Sequence, residues 1–317
     1  MIGLSKIHYR SVTDLNNAIV KNLWKIPKGT NLIVGIPRSG MLAANLFALH
    51  LNLPLTDLEG FLDGRIMRGG KRQKWSASKL DDFNSIRALV IDDSVNSGNA
   101  ICEAKHRIAE GEITTEVKYG CVFLNSENAA AVDFFCEVCP IPRIFEWNLM
   151  HDSILEQACV DIDGVICRDP TEEENDDGIL YREFISSVEP LIVPSVKMGY
   201  LVTSRLEKYR DLTEQWLAKH NFKYGELIMM DCPDKATRIA AGNHGGYKAA
   251  VYHGKNSTLF IESSMWQAQT ILKMTGKSVF CMDTREMLTL GAMPQVRRVI
   301  YKIGPYILRR IKRAIGK

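Results

Sequence analysis

The chain lacks any run of about 18 uninterrupted apolar residues, the length a membrane-spanning helix needs, so no such helix is expected. Its first ten residues, Met-Ile-Gly-Leu-Ser-Lys-Ile-His-Tyr-Arg, lack the apolar core of a signal peptide, which predicts retention in the cytosol. Cysteine is sparse in the pattern that matters for zinc. Cys136 and Cys139 form a lone Cys-x-x-Cys with no second pair at zinc-site spacing, so a structural zinc is not expected. Cys102, Cys121, Cys159, Cys167 and Cys281 fall in apolar, strand-like or helical stretches, where a thiol acts as a small hydrophobe. Internal repeats and low-complexity segments are absent. Residues 294–317 contain no acidic residue at all, yet hold Arg297, Arg298, Lys302, Arg309, Arg310, Lys312, Arg313 and Lys317. The overall charge of +3 therefore conceals an acidic body and a strongly basic end.

What is present fits an ordinary globular protein: 317 residues, 46% hydrophobic and 24% charged, long enough for two separate cores. Apolar strand-like runs at 31–35, 88–91 and 118–124 alternate with helical periodicity at 41–51 and 100–111. A second alternating set follows. Its strands are expected at 158–162, 200–202, 227–230, 259–261 and 278–281, and its helices at 208–220, 235–241, 247–253 and 264–275. Alternation of this kind implies parallel sheets covered by helices. The expected fold class is α/β, with two doubly wound, mainly parallel-sheet domains at 1–152 and 153–290. A basic amphipathic helical tail is expected at 291–317. The acidic run 172–177 reads as a solvated loop.

Residues 89–100 read Leu-Val-Ile-Asp-Asp-Ser-Val-Asn-Ser-Gly-Asn-Ala. A buried strand here runs into two carboxylates, a small-residue loop and a helix. Such a loop aims backbone N–H groups at an anion, and the helix dipole favours negative charge. Asp92 and Asp93 cannot bind phosphate, so ribose hydroxyls or Mg²⁺ are their natural partners. Residues 34–41, Val-Gly-Ile-Pro-Arg-Ser-Gly-Met, repeat the strand–turn–helix pattern, with Arg38 as a bidentate fork for a diphosphate. Taken singly, an Asp-Asp pair after a strand is often a helix cap and Gly-x-Pro-Arg-x-Gly just a turn. Together, in order and separated by the basic stretch 69–79, they point to one site.

This set resembles the type I phosphoribosyltransferases. The resemblance implies that Asp92 and Asp93 hold the ribose of phosphoribosyl pyrophosphate. It places the 5-phosphate on Ser94, Asn96, Ser97, Gly98, Asn99 and Ala100, and the diphosphate on Arg38, Ser39 and Gly40. Lys71 and Arg72, or Lys74, would shield the leaving group from a mobile loop. Ala100 departs from the family, which usually has a hydroxyl residue there.

Residues 158–167, Ala-Cys-Val-Asp-Ile-Asp-Gly-Val-Ile-Cys, resemble the first motif of haloacid-dehalogenase-like phosphatases. The resemblance implies Asp161 as the nucleophile on phosphorus and Asp163 as the acid and base. Thr203, with Ser204 beside it, would bind the phosphoryl oxygens, and Lys248, with Lys255 as the alternative, would neutralise charge. Mg²⁺ would sit on Asp161, Asp163 and Glu262, although Glu262 stands alone where the family commonly has an acidic pair. Two bland readings compete: Thr203 and Ser204 could cap the helix near 208, and Lys248 could be a surface charge. The interval from Asp163 to Thr203 leaves no room for a large lid, which implies an open phosphatase site suited to a bulky substrate.

In the tail, Ile307, Leu308, Ile311, Ala314 and Ile315 share one helical face, with basic residues on the rest. This reads as an anchor on an anionic membrane surface; packing on the acidic body is the alternative. No nucleic-acid partner is expected, and a homo-oligomer is compatible with the sequence. The expected activity is transfer of 5-phosphoribosyl to an acceptor, a lipid-linked glycan, followed by removal of the 5-phosphate to leave ribofuranose. Such an enzyme would work as in bacterial surface-polysaccharide assembly, in the cytoplasm and peripherally on the membrane. Two alternatives stand: a nucleobase phosphoribosyltransferase with nucleotidase activity, for which Trp147 could stack on a ring, or a non-catalytic sensor of phosphoribosyl pyrophosphate.

Overall fold

The computed structural model describes residues 7–67, 85–111, 113, 115–242 and 244–290. The basic loop with Lys71, Arg72 and Lys74 and the basic tail lie outside the described residues. The described chain divides into two compact units, residues 7–147 and 148–290.

The first unit is built on a five-stranded, all-parallel sheet of order β3-β2-β4-β5-β6. Its strands are β2 (Leu32–Gly35), β3 (Leu55–Asp57), β4 (Arg87–Val95), β5 (Glu116–Leu124) and β6 (Phe134–Val138). Period-2 alternation sends Ile33, Leu89 and Ile91 into one core with Leu15, Ile19 and Phe47 of helices α1 (Val12–Asn22) and α2 (Ser39–Leu51). Leu32, Val34 and Val90 enter the opposite core. There they meet Phe61 of α3 (Leu58–Leu62) and Ile101, Ala104 and Ile108 of α4 (Asn99–Glu110). Burial on both faces explains why these strands read as continuous apolar runs. A separate parallel pair joins β1 (His8–Arg10) to β7 (Arg143–Phe145).

The second unit has a six-stranded sheet of order β10-β9-β8-β11-β12-β13. Its strands are β8 (Ala158–Val160), β9 (Met198–Leu206), β10 (Tyr224–Met230), β11 (Leu259–Glu262), β12 (Ser278–Cys281) and β13 (Glu286–Leu288). All pairs are parallel except the edge hairpin β12–β13. One helix, α5 (Ile179–Ser187), lies between β8 and β9. The others are α6 (Arg210–Lys219), α7 (Lys235–Ala241), α8 (His244–Gly254) and α9 (Met265–Thr275). Both units are therefore mixed α/β with parallel sheets.

Several sequence expectations need adjusting. Strand β4 does not stop at Ile91 but carries the acidic pair inside it to Val95, held by pairing with β5 as far as Leu124. Likewise β9 runs past Val202 through Thr203, Ser204 and Arg205 to Leu206. The acidic run is not a bare solvated loop. Arg168 grips Glu174 at 2.6 Å and holds its carboxyl down to about 2, while Asp177 binds Lys208 and the Tyr209 hydroxyl at 2.8 Å each. Cys102 is exposed, whereas Cys121, Cys159, Cys167 and Cys281 are buried. Cys136 and Cys139 are buried free thiols, and burial pushes Cys136 up to about 12.

Candidate active sites

In the first unit the chain order reverses between β2 and β4, with β3 on one side and β5 and β6 on the other. Ligands of open α/β sheets gather outside the carboxyl ends of strands at such a point, and both motifs of this unit stand there. The turn after β2 leads through a cis Pro37–Arg38 peptide into α2, whose first residues are Ser39 and Gly40. A Cβ on Gly40 would lie 2.9 Å from the Ile91 carbonyl oxygen and 3.0 Å from Asp92 Oδ1. Glycine thus lets the start of α2 press against the acidic end of β4. Arg38 is exposed at this edge.

Asp92 and Asp93 are both buried, at 8% and 3% exposure. Burial, then the neighbouring Asp93 carboxylate, raises Asp92 to about 8. Asp93 receives the indole N–H of Trp147 at 2.8 Å, and Trp147 stacks on Phe145 at 4.9 Å between ring centres. Trp147, which could stack on a ligand ring, has its N–H and one face already engaged by these contacts. Arg143 lies near the acidic pair, where burial lowers its pKa against the attraction of nearby groups including Asp93 and Asp92.

The turn after β4 is shorter than the sequence implies, because Ser94 and Val95 belong to the strand. Asn96 is partly committed: its carbonyl takes the Asn128 side-chain amide, and its side chain takes that of Asn125 at 3.4 Å. Gly98 turns the chain with φ +85°, a left-handed conformation that glycine accepts readily. Asn99 and Ala100 then open α4, both exposed. An anion there meets backbone N–H groups and the positive end of a 12-residue helix. A methyl group at Ala100 leaves those donors in place.

In the second unit the reversal falls at β8, with β9 and β10 on one side and β11 and β12 on the other. Asp161 follows β8, Thr203 lies in β9, and Glu262 ends β11. Lys248 reaches in from α8 and lies 2.6 Å from Asp161 Oδ2 and 2.7 Å from Glu262 Oε2. The lysine side chain is 2% exposed. Burial acts to lower its pKa, but the two carboxylates carry it upward, so the ammonium stays charged. Burial raises Asp161 against the pull of that ammonium. Lys255, the alternative lysine, pairs instead with Glu226 at 2.6 Å. Nor are Thr203 and Ser204 helix caps: α6 is preceded by Tyr209 with no side-chain cap bond. Both residues instead line a cavity of about 230 Å³ together with Asp161, Asp163 and Lys248.

Oxygen donors suited to a hard cation face this cavity from Asp161, Asp163, Asp169 and Ser263. Among the described residues no three acidic, His or Cys side chains form a ready metal cage. A Mg²⁺ ion fits such a donor set, because it keeps several waters and commonly takes phosphate oxygens as further ligands. Glu262 is placed differently: it is fully buried, with Oε2 on Lys248 and Oε1 accepting the Ser264 N–H at 3.1 Å.

Four cavity or floor residues carry no motif in the sequence. Arg205, fully buried, clamps Asp163 through Nη2 at 2.6 Å and Nε at 3.0 Å. Its place directly after Thr203 and Ser204 was the available signal. Arg238, His244 and Gln267 also line the cavity, from α7, α8 and α9. Topology alone brings them there.

No curated protein matches the chain. Similar solved structures include a purine phosphoribosyltransferase from Pyrococcus horikoshii (16% identity, 44% of this chain and 92% of that one, TM-score 0.33). A xanthine-guanine-hypoxanthine phosphoribosyltransferase from Helicobacter pylori shares 17% identity over 45% of this chain and 93% of its own, with a TM-score of 0.32. The Mycobacterium tuberculosis orotate phosphoribosyltransferase bound to 5-phospho-α-D-ribosyl 1-diphosphate shares 13% identity over 40% and 72%, with a TM-score of 0.26. Residues 5–154, just under half of the chain, match the family model described as the phosphoribosyl transferase domain.

Proposed function

We propose that the chain is a bifunctional enzyme that transfers 5-phosphoribosyl from phosphoribosyl pyrophosphate to an acceptor and then removes the 5-phosphate. In the first step an acceptor hydroxyl attacks C1 of the ribose, diphosphate leaves, and the hydroxyl proton is released. Asp92 and Asp93 hold the ribose hydroxyls, residues 94–100 the 5-phosphate, and Arg38 to Gly40 with Lys71 and Arg72 the diphosphate.

The second unit acts as a haloacid-dehalogenase-like phosphomonoesterase. One observation carries this reading: Lys248 bridges Asp161 and Glu262, which lie 87 and 14 positions away in the chain, beside Thr203 at the carboxyl ends of adjacent strands. A lone surface lysine has no cause to be buried between two acids. Asp161 attacks phosphorus and forms an aspartyl-phosphate while the ester oxygen leaves with a proton from Asp163. Asp163 then takes a proton from water, which attacks phosphorus, releases phosphate and restores Asp161. Arg205 holds Asp163 at the cavity as a carboxylate, the form that takes the proton from water in the second transfer. Mg²⁺, held by Asp161 and Asp163 with Glu262 acting through Lys248, supplies positive charge for the phosphoryl oxygens.

The acceptor in this reading is a lipid-linked glycan at the cytoplasmic face of the membrane. Its support is the basic, amphipathic composition of residues 294–317, where each basic residue near an anionic leaflet contributes roughly 1 kcal/mol. Removing residues 294–317 is expected to abolish flotation with anionic vesicles; a truncated chain that still floats contradicts the anchor.

The two-step reading is tested by following both leaving groups at once. Wild-type enzyme with Mg²⁺, phosphoribosyl pyrophosphate and a membrane lipid extract is expected to release diphosphate first and then phosphate, one for one. Phosphate release that neither lags nor depends on diphosphate release defeats the coupling. Release that requires a nucleobase instead moves the protein to nucleotide metabolism.

A further inference from the structure

The phosphomonoesterase chemistry makes no use of four residues that line the 230 Å³ cavity: Asn175, Arg238, His244 and Gln267. Charges on the floor are matched, Lys248 with Asp161 and Glu262, and Arg205 with Asp163. Arg238 is different. Among the described residues no carboxylate pairs with it; its Nη1 donates to the Ser204 carbonyl oxygen at 3.0 Å. That bond ties the guanidinium to the residue next to Thr203. Arg238 Nε, Ser204 Oγ and Gln267 Oε1 are all buried with no hydrogen-bond partner among the described residues. Three unpaired polar atoms on residues lining one cavity are costly to a fold, and such groups call for a functional explanation.

Two amides, a guanidinium and an imidazole are among the lining side chains, together with the Asp169 carboxylate, and the carbon-rich lining residues are Pro170 and Tyr181. Burial, together with the cations Arg238 and Lys248, lowers the His244 pKa, so its neutral ring both donates and accepts near pH 7. Groups that donate and accept in several directions match hydroxyls, and they reject an aromatic or alkyl leaving group that would leave them unpaired. The volume lies below the roughly 300–1,000 Å³ usual for drug-sized ligands. It suits one small sugar phosphate, with the rest of a larger acceptor outside. The sequence-based expectation of a site shaped for a bulky substrate is narrowed accordingly.

We propose that Arg238, His244 and Gln267 form a leaving-group subsite that recognises the hydroxyls of a small sugar phosphate of the pentofuranose 5-phosphate class. This deepens the phosphomonoesterase reading and rests on it for turnover, though not for binding.

The test uses the full chain in an Asp92→Asn/Asp93→Asn background, which removes the acidic partners of the ribose hydroxyls at the first site. Hydrolysis of ribose 5-phosphate and of p-nitrophenyl phosphate is compared with Mg²⁺ present. Gln267→Leu and Arg238→Ala are each expected to lower the ratio of the two kcat/KM values at least tenfold, mainly through KM, with Arg238→Lys recovering part of the loss. An unchanged ratio overturns the subsite while leaving the phosphatase standing. Calorimetric binding of ribose 5-phosphate to the Asp161→Asn form of the same background separates the two claims. If neither ester is hydrolysed but Gln267→Leu still weakens binding tenfold, the phosphatase reading falls and the subsite holds. If ribose 5-phosphate does not bind, the subsite is wrong.

Discussion

Replacing Lys248 with methionine is expected to reduce phosphate release by about 10³-fold and to lower the thermal stability of the second unit, while diphosphate release by the first unit continues. Both effects follow from the same contacts. Methionine fills similar space but leaves Asp161 and Glu262 buried with no counter-charge, where the ammonium now stands 2.6 and 2.7 Å away. Breaking a buried ion pair by removing one partner costs about 3–5 kcal/mol. For the phosphatase, the loss is that of the fixed cation against which the attacking carboxylate and the phosphoryl group are placed. Lys255→Met serves as the control, since Lys255 pairs with Glu226 at a partly exposed site; exposed pairs contribute about 0–1 kcal/mol. Thermal unfolding and a phosphate-release assay on both variants decide the matter. Full activity and an unchanged melting temperature in Lys248→Met would remove Lys248 from the site.

Asp92→Asn is expected to do the reverse to stability, strengthening the first unit at neutral and alkaline pH while cutting use of phosphoribosyl pyrophosphate. The ordinary carboxyl value of 3.8 is raised to about 8 in the folded state, first by burial and then by Asp93. Between those values the unfolded chain gives up a proton that the folded one keeps. Stability from this group is therefore complete below about pH 4 and is lost as pH rises toward 8. Asparagine cannot ionise, and its carbonyl can still accept the Asp93 N–H that Asp92 Oδ1 receives at 2.9 Å. At pH 8 the gain is about 5 kcal/mol, or ten degrees or more in melting temperature, and it vanishes near pH 4. The functional cost runs the other way. Above pH 8, where Asp92 is ionised, hydrogen bonds from the ribose hydroxyls to the charged carboxylate contribute about 1.5–3 kcal/mol, so kcat/KM for phosphoribosyl pyrophosphate is expected to fall about 10- to 100-fold there. A melting difference between wild type and variant that does not grow with pH contradicts the burial account of Asp92.

Of the two residues, Asp92 was legible because it follows an unbroken apolar run, whereas Lys248, inside a helix with no such run, was reached only through the motif resemblance. Ile33, Val34, Leu89 and Val90 are buried on two sheet faces, so their strands announce themselves without alternation. The helices at 41–51, 235–241 and 264–275 were equally plain from periodicity, within two residues. Short pieces left weaker traces. Strands β3, β7 and β13 have three residues each, too few for any period, and exist because a neighbouring strand pairs with them. Helix α1 did carry a signal, the Ser11–Asp14 capping box, but nothing chemical drew attention to it.

Polar residues marked the limit of such reading. By hydrophobicity alone β4 and β9 would end at Ile91 and Val202, yet pairing carries both onward through Asp92 and Asp93, and through Thr203 to Arg205. An arginine looks solvent-bound in sequence; Arg205 is buried because Asp163, 42 positions away, receives it. Arg238, His244 and Gln267 come from three helices with no shared motif, so only the order of strands could have placed them together.

The most direct test of the central claim uses the Asp161→Asn variant. The purified variant is incubated with Mg²⁺, phosphoribosyl pyrophosphate and membrane lipid extract, and the products are weighed by mass spectrometry. The expected product is a phosphoribosylated lipid-glycan that accumulates, then loses one phosphate when wild-type enzyme is added. A nucleoside monophosphate, or a product that keeps its phosphate in the presence of wild-type enzyme, contradicts the account.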